Sequence, residues 1–342
     1  MEKIELLNGK VRKYDEEKDK DMFTVSYSKL DLSQQCPFRY NLHYNQDERA
    51  EQVSIALDLG SVAHKILELK ADMLINKKDV DYSYLKKILY EGITETTDKG
   101  VEVIIGLDNI KKKFGFETCL EKDNTSGMNY EQKIEKFLNE VVPIRFEDEK
   151  GWKPFAAEKR FDFVYNYGTD LEVKEVHIKG FIDIVLEKHN KENKRSFKVK
   201  DYKTSKKTYE HSKTATSLQQ FIYGLALYTE YGVLPEEYEY DFIFLNQKQK
   251  ANTNGYLQRG LKKLDKILNK IDEMDKNKEY RPNPSPLCYF CDYCSNNPNA
   301  KYPYNQMCQY YSLWTSQNKT FEVNKKWGEE TDKKENKRKL IF

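Results

Sequence analysis

Hydrophobic and polar positions alternate at strand spacing in the middle of the chain. Residues 176–186 and 196–204 are rich in β-branched and aromatic side chains, and the polar stretch 187–195 between them is typical of a turn. The pattern predicts a β-hairpin. Similar runs predict further strands over 155–165 and 238–245.

Apolar positions at helical spacing surround this hairpin in the sequence. Residues 57–69, 218–231 and 256–274 each place their apolar side chains on one face of a helix. Residues 75–150 are mainly helical by pattern and look like an insertion. Strands and helices that follow one another in this way predict a mixed α/β fold.

The predicted hairpin carries two aspartates. If it is symmetric about Glu192, Asp183 lies directly opposite Asp201, about 5 Å away, where two like charges need a partner. A divalent cation such as Mg²⁺ or Mn²⁺ fits carboxylate oxygens, and Lys203 lies on the same strand face as Asp201. A solvated hairpin face with ordinary ion pairs is the alternative interpretation of the same residues.

The helix over 57–69 contains a candidate metal ligand. Gly60 and His64 are separated by four residues and therefore share one face, where glycine permits a close approach of another backbone. A histidine in a helix also has a purely structural alternative.

Two further elements carry polar side chains that fit the same site. Glu158 lies in the strand over 155–165, where it is either a site residue or part of a surface ion pair with Lys159 or Arg160. Gln219 and Tyr223 lie four residues apart on one face of the helix over 218–231. A buried tyrosine with a hydrogen-bonded glutamine is the alternative for that pair.

The cysteines give a second, independent signal. Cys288, Cys291 and Cys294 form two C-x2-C steps, Cys308 follows, and Cys36 lies far upstream. The first residues are charged and do not resemble a signal peptide, so a reducing, cytoplasmic compartment is expected, in which metal binding is favoured over disulfides. Four thiolates suit either Zn²⁺ or a 4Fe-4S cluster, and spacing alone does not separate these two.

Composition excludes some classes of protein. The 342 residues contain 58 lysines and arginines against 56 aspartates and glutamates, a net charge of +2, so the chain has no overall basic signature of nucleic-acid binding. The lack of a long apolar run excludes a membrane span. Any phosphate contacts would therefore come from local clusters of lysines.

Several short motifs occur together in a fixed order. They are Ser28-x-Leu30, Cys36-Pro37-Phe38-Arg39-Tyr40, Gly60-Ser61-Val62-Ala63-His64, Gly180-Phe181-Ile182-Asp183, Asp201-Tyr202-Lys203, Gln219-Gln220-Phe221-Ile222-Tyr223 and the C-terminal cysteines. Over about residues 25–310 this series resembles the RecB-type branch of the PD-(D/E)XK nuclease superfamily. Within that branch it is most similar to the iron-sulfur members, which include AddB-like recombination nucleases, CRISPR-adaptation exonucleases and stand-alone phage nucleases.

The resemblance implies a fold and a catalytic site. The fold would be a restriction-endonuclease-like α/β core, a mixed central sheet flanked by helices, with a helical insertion and a cysteine-ligated cluster that joins the N- and C-terminal regions. It implies that Mg²⁺ or Mn²⁺ is bound by His64, Asp183, Asp201 and the backbone carbonyl of Tyr202, with Glu158 as a further catalytic residue. Lys203 would act in catalysis, and Gln219 and Tyr223 would shape the site and contact DNA.

The resemblance also implies that the cysteines hold a structural 4Fe-4S cluster, with Zn²⁺ as the alternative. Cys36, Cys288 and Cys291 match the family pattern. Cys308 is the preferred fourth ligand, because Cys294 follows Cys291 more closely than the pattern expects, and Cys294 is the alternative.

These anchors define the expected organisation of the chain. Residues 1–24 form a charged segment that is expected to be loosely packed, and residues 319–342 form a charged tail. A single nuclease domain over 25–318 contains the insertion over 75–150, the catalytic core over 155–245 and the cysteine region over 286–310.

The expected function is that of a metal-dependent DNA nuclease, a phosphodiesterase. An exonuclease that acts on DNA ends or single strands in recombination, repair or phage DNA metabolism is preferred, and helicase, recombination or replication proteins are its candidate partners. A CRISPR-adaptation nuclease is the alternative within this class. A catalytically inactive DNA-binding or scaffold subunit with a structural zinc or iron-sulfur site is the alternative outside it.

Overall fold

The computed structural model describes residues 5–50, 54–96, 102–115, 126–146, 150–169, 171–210, 214, 217–251, 256–295, 297, 300–308 and 310. The chain forms two compact units: unit 1 comprises Met1–Thr24 and Val53–Lys263, and unit 2 comprises Val25–Gln52 and Leu264–Phe342. The predicted tail over 319–342 lies outside the described residues, and the predicted domain boundaries stay a prediction.

The strands of the described residues are numbered in chain order. They are β1 (Val11–Lys13), β2 (Thr24–Val25), β3 (Ile93–Thr96), β4 (Glu102–Ile105), β5 (Lys153–Thr169), β6 (Glu172–His189), β7 (Arg195–Lys203), β8 (Glu237–Phe242) and β9 (Gln247–Lys250).

The α-helices are numbered in the same way. They are α1 (Tyr27–Gln35), α2 (Pro37–Tyr40), α3 (Ile55–Ile75), α4 (Tyr82–Glu91), α5 (Leu107–Phe114), α6 (Tyr130–Lys136), α7 (Leu218–Tyr231) and α8 (Tyr256–Asn277). Short π-helical turns follow α2 and α6, at Asn41–Asn45 and Phe137–Val141, and 3₁₀ turns lie at Pro286–Phe290 and Tyr304–Gln306. Within the described residues no helix has the length and apolar character needed to cross a membrane.

A mixed sheet forms the centre of unit 1, with the strand order β1-β5-β6-β7-β8-β9. The β7–β8 pair is parallel, whereas the other neighbours along this order are antiparallel. Helices pack on this sheet, and the predicted mixed α/β fold with a central sheet flanked by helices is therefore confirmed.

The predicted hairpin is formed by β6 and β7, with a turn at 190–194 that is shorter than the sequence suggested. Val185 lies opposite Val199 and Ile184 lies opposite Lys200. The pairing ends there, one residue before Asp183 and Asp201, which the symmetric hairpin predicts to lie opposite each other.

Helix α3 packs its apolar face against the sheet. Leu59, Val62, Ala63 and Ile66 are all buried in one core cluster that also contains Ile184 of β6. These are the apolar positions that the helical periodicity of 57–69 predicts. Burial of this face therefore holds α3 against the strands that carry the aspartates.

Helix α7 confirms the predicted helix over 218–231. The side chain of Ser217 caps its N-terminus by accepting a hydrogen bond from the main-chain N–H of Gln220, and Gly232 ends it in the left-handed conformation with φ of 70°. Phe221 and Leu225 are buried. The cap and the buried face fix the direction in which the polar residues of the helix point.

The segment over 75–150 is not purely helical. Besides α4, α5 and α6 it contains a two-stranded antiparallel sheet of β3 and β4, which the sequence pattern did not predict. Gly92 precedes β3 with φ of 89°, and a Cβ atom there would lie 2.8 Å from the carbonyl oxygen of Ile105. Strands of four residues are too short to show a clear period, which explains the omission.

Residues 5–24 of the N-terminal segment are packed rather than loose. Strand β1 pairs with β5, with Val11 opposite Tyr165. The Arg12 guanidinium donates to the carboxylates of Asp19 and Glu175, at 2.6 Å and 2.9 Å respectively. The expectation of loose packing was wrong because the high charge of this segment is used in ion pairs on the edge of the sheet.

Candidate functional site

Strands β6 and β7 part at the two aspartates. Oδ2 of Asp183 accepts a hydrogen bond of 2.6 Å from the main-chain N–H of Tyr202. The Asp183 carboxylate therefore accepts the hydrogen bond that a main-chain carbonyl of the neighbouring strand accepts in a regular sheet. The bond holds the Asp183 side chain beside Tyr202, the residue that follows Asp201.

Glu158 lies on the other side of Asp183. In the β5–β6 register Ala157 is opposite Ile184 and Lys159 is opposite Ile182, so Glu158 is at the position opposite Asp183. Its φ of 40° lies in the left-handed region, which non-glycine residues rarely adopt. Such conformations persist where the surrounding structure imposes them and are frequent at functional sites.

Helix α3 brings His64 to the two carboxylates. Its Nδ1 lies 3.8 Å from Oδ2 of Asp183, and one ligand atom each of His64, Glu158 and Asp183 lies within 4.8 Å of the others. A Cβ atom on Gly60 would lie 3.2 Å from Oγ1 of Thr204, so glycine allows the helix to approach the end of β7. The close approach at Gly60 is therefore made by the Thr204 side chain, whereas the sequence analysis expected another backbone there.

Asp201 and Lys203 form a neighbouring pair that is connected to α7. Asp201 is buried and its carboxylate contacts the Lys203 ammonium group. Nζ of Lys203 also donates to Oε1 of Gln219 at 3.4 Å, and Nε2 of Gln219 donates to the hydroxyl of Tyr223 at 2.8 Å. The Tyr223 hydroxyl donates to Oδ1 of Asp201 at 3.4 Å, which completes a closed network.

Burial dominates the electrostatics of the site. It raises the pKa of the Asp183 carboxyl well above its ordinary value, and the neighbouring charges of Asp201 and Glu158 raise it further. Burial likewise raises the pKa of Asp201, which Lys203 opposes. Burial lowers the pKa of His64 to about 4, so its imidazole is neutral at pH 7, the form that binds metals.

The donor set fits a divalent cation. An imidazole and two carboxylates from three different elements lie close together, and the two half-buried acids repel each other unless a positive charge neutralises them. A hydrogen bond between His64 and the backbone of Tyr202 also places that backbone next to the donor set. Asp201 is adjacent but belongs to the Lys203 pair, so its predicted metal-binding role remains a prediction.

A cavity of about 550 Å³ opens beside these donors. It is lined by His64 and Glu158, by Gly60, Ser61 and Phe181 of the motifs, and by residues outside the motifs: Leu57, Lys65, Glu68, Ile105 and Thr204. Lys65 and Glu68 form an ion pair of 2.7 Å across one turn of α3. The only sequence feature that points to Lys65 and Glu68 as residues of this cavity is their position on the same helix as His64.

The cysteines lie in unit 2. Cys36 ends α1 and precedes Pro37, the first residue of α2, while Cys288 lies in the 3₁₀ turn Pro286–Phe290 and Cys291 ends it. Cys294 and Cys308 form an isolated β-bridge. Cys36, Cys288, Cys291, Cys294 and Cys308 line one cavity.

The surroundings of the sulfur atoms suit thiolate ligands. The main-chain N–H of Ser285 lies 3.4 Å from Sγ of Cys288, and backbone hydrogen bonds from Tyr293 and Tyr310 favour the thiolates of Cys291 and Cys308. Burial nevertheless raises the pKa of Cys291 to about 11, so the thiol alone stays protonated at pH 7. A bound metal would supply the positive charge that deprotonates it. Both candidate fourth ligands line the cavity, so the choice between them stays open.

A comparison with protein families gives one match. The family model of the PD-(D/E)XK nuclease superfamily matches residues 24–297, which include four of the five described cysteines and leave out Cys308. No curated protein matches the chain. The matched segment covers every strand and helix that contributes to the candidate metal site.

Proposed function

Because the chain belongs to the PD-(D/E)XK nuclease superfamily, we propose that it is a metal-dependent deoxyribonuclease that uses Mg²⁺ or Mn²⁺. One observation carries this proposal: ligand atoms of His64, Glu158 and Asp183 lie within 4.8 Å of one another, beside the ion pair of buried Asp201 with Lys203. Acids clustered in a half-buried position destabilise the fold unless a positive charge compensates them, and a bound cation supplies that charge.

The proposed ligands are His64, Asp183, Asp201 and the carbonyl of Tyr202, with Glu158 in the same coordination region. When bound, the cation polarises the scissile phosphate and lowers the pKa of a water molecule. The neutral imidazole of His64 supplies a lone pair without adding positive charge. The main-chain N–H of Tyr202 holds the Asp183 carboxylate in one orientation.

We assign Lys203 to the stabilisation of charge. Burial lowers its pKa, but the Asp201 carboxylate more than compensates, and the pKa is raised overall, so the ammonium group stays positive. It is therefore suited to neutralise charge that develops on the phosphate or to orient the attacking water. Gln219 and Tyr223 hold Lys203 and Asp201 in place and are proposed to contact the DNA strand.

We further propose that the enzyme is an exonuclease acting on DNA ends or single strands in recombination, repair or phage DNA metabolism. The order of its motifs, which resembles the RecB-type branch, supports this. A CRISPR-adaptation nuclease is the second proposal within the class. Helicase, recombination or replication proteins are the proposed partners.

A 4Fe-4S cluster is the proposed structural cofactor of unit 2. Its support is the shared cavity of the five cysteines and the resemblance of Cys36-Pro37 and the C-terminal cysteines to the iron-sulfur members of the family. Zn²⁺ is the alternative ligand of the same thiolates. The colour of the purified protein separates the two, since an iron-sulfur protein is brown and a zinc protein is colourless.

End-labelled DNA tests the proposed activity. Single-stranded and duplex DNA, each labelled at either end, is incubated with the full chain in Mg²⁺, Mn²⁺ or EDTA. Progressive shortening that requires the metal is expected, and the label gives the polarity. Binding without cleavage under every metal condition would instead favour the non-catalytic DNA-binding subunit.

A further inference from the structure

Phe181 is unusually exposed for a residue in the middle of a long strand. Its side chain is 53% exposed, and it lines the same cavity as His64 and Glu158. It precedes Asp183 by two residues and therefore lies on the same strand face, about 7 Å along β6. Leu57, which is 50% exposed, lines this cavity from α3.

Single exposed apolar side chains need no explanation, but this pair differs from them. Both side chains line one cavity, whose remaining lining contains His64, a proposed metal ligand, and Glu158, which lies in the same coordination region. Neither side chain is needed to close the core, since both remain half exposed. An apolar surface beside a polar, metal-binding site suits a ligand that has both characters, as a nucleotide does.

The strand face next to Phe181 carries charge of the sign that phosphate attracts. Arg160 lies directly opposite Phe181 in the β5–β6 register and its side chain is 72% exposed. Lys179 follows on the same face and is exposed, while Asp162 lies opposite it with its carboxylate 3.9 Å from Nε of Arg160. These three charges sum to one positive charge on this part of the strand face, whereas Asp183 and Glu158, on the other side of Phe181, are the acids assigned to the cation site.

Resting on the proposed nuclease function, we propose that Phe181 stacks on an unpaired base next to the scissile phosphate, with Leu57 on the other side of the base and Arg160 on the sugar-phosphate backbone. Aromatic side chains bind single strands in this way because every base offers a flat π face. Bases inside a duplex are already stacked and paired, so an intact duplex does not offer that face. Phe181 would therefore select single-stranded or frayed DNA.

Binding is measured without cleavage by fluorescence anisotropy of labelled oligonucleotides in EDTA. Phe181→Ala is expected to weaken the binding of single-stranded DNA about 5- to 150-fold, the loss of one stacked base. Phe181→Tyr is expected to retain binding, because the ring is kept. Tyr84→Ala, which removes an exposed aromatic residue that does not line the cavity, is the matched control and should bind like the unchanged chain.

An abasic site distinguishes stacking from a general effect on folding. Each oligonucleotide of a series lacks one base at a different position. At one of these positions, the missing base should weaken the binding of the oligonucleotide to the unchanged chain. The same missing base should not change its binding to Phe181→Ala. Arg160→Ala should reduce the slope of log affinity against log salt by about 1. The proposal is overturned if Phe181→Ala binds single strands as tightly as the unchanged chain, or if the substitution weakens the binding of single strands and duplexes equally. It is also overturned if removal of a base has the same effect on the binding of both proteins.

Cleavage in Mg²⁺ is measured separately on the same oligonucleotides. If the stacking signature is present and the unchanged chain cleaves nothing, the nuclease proposal fails and the single-strand site stands. If the chain cleaves DNA but shows no stacking signature, this inference fails and the nuclease proposal stands.

Discussion

The main-chain N–H of Tyr202 donates a hydrogen bond of 2.6 Å to Oδ2 of Asp183, across the point where β6 and β7 part. The bond ties the Gly180–Asp183 motif to the Asp201–Lys203 motif through the backbone rather than through side chains alone. It also favours the ionised form of Asp183, against the burial that raises its pKa. The two motifs therefore form one site even before any cation is considered.

Lys203→Ala should slow cleavage severely and leave the fold and DNA binding intact. Removing one group that stabilises developing charge costs catalysis about 10²–10³-fold. The loss should appear in the single-turnover rate with saturating enzyme, whereas the circular dichroism spectrum stays unchanged. Lys207→Ala removes an exposed lysine four residues away and is the matched control. Cleavage by Lys203→Ala at the full rate would contradict the assigned role.

Asp183→Asn should stabilise the protein in EDTA while it abolishes metal binding. The amide oxygen still accepts the hydrogen bond from Tyr202, and the repulsion among the buried acids falls, a gain of about 1 kcal/mol. At about 100 times its dissociation constant, Mg²⁺ should stabilise the unchanged chain by about 2.7 kcal/mol. Thermal unfolding with and without Mg²⁺ measures both effects.

The control for this experiment is Asp79→Asn, which changes an exposed aspartate in the same way. It should unfold at the same temperature as the unchanged chain and respond equally to Mg²⁺. A Mg²⁺-dependent increase in the melting temperature of Asp183→Asn, equal to that of the unchanged chain, would remove Asp183 from the set of ligands.

The hairpin and its register were predictable because two simple rules act together there. Alternating apolar residues define the strands, and a short polar turn fixes the pairing that brings Asp183 opposite Asp201. The helix of His64 was also predictable, since its apolar face spans several turns. Long elements with a clear period leave a strong signal in the sequence.

Other parts of the site leave no such signal. The left-handed backbone of Glu158 depends on pairing with β6, a contact that no local pattern encodes. Phe181 reads as an ordinary strand residue, because exposure is decided by what packs over the strand. Arg12 pairs with Glu175, which is 163 residues away in the sequence, and no local pattern in the N-terminal segment predicts that contact.

Asp19→Asn should destabilise the protein in a way that depends on pH. The hydrogen bond from Arg12 lowers the pKa of Asp19 from its ordinary value of 3.8 to about 2 in the folded state. The unfolded chain therefore binds a proton more readily than the folded one, and the stabilising contribution is complete above pH 3.8 and disappears as pH falls through 2.

Melting temperatures at several pH values measure this difference. Asp19→Asn should melt below the unchanged chain at pH 7, and the gap between the two should narrow as the pH is lowered from 4 toward 2. Asp21→Asn alters an exposed aspartate of the same segment and should show no such gap. A gap that is constant over this range would show that the ionised form of Asp19 is not responsible.

Replacement of each cysteine by serine should identify the ligands of unit 2. The anaerobically purified chain is expected to be brown and to contain iron, and Cys36→Ser, Cys288→Ser and Cys291→Ser should each lose most of the visible absorbance, because each removes one thiolate from the cluster. Cys294→Ser and Cys308→Ser form a matched pair, since both residues line the same cavity and their backbones form a β-bridge with each other.

For the fourth ligand, we expect Cys308→Ser to lose the colour and Cys294→Ser to keep it. The reverse pattern would assign the fourth position to Cys294. A colourless chain that contains stoichiometric zinc would replace the cluster by a Zn²⁺ site on the same thiolates.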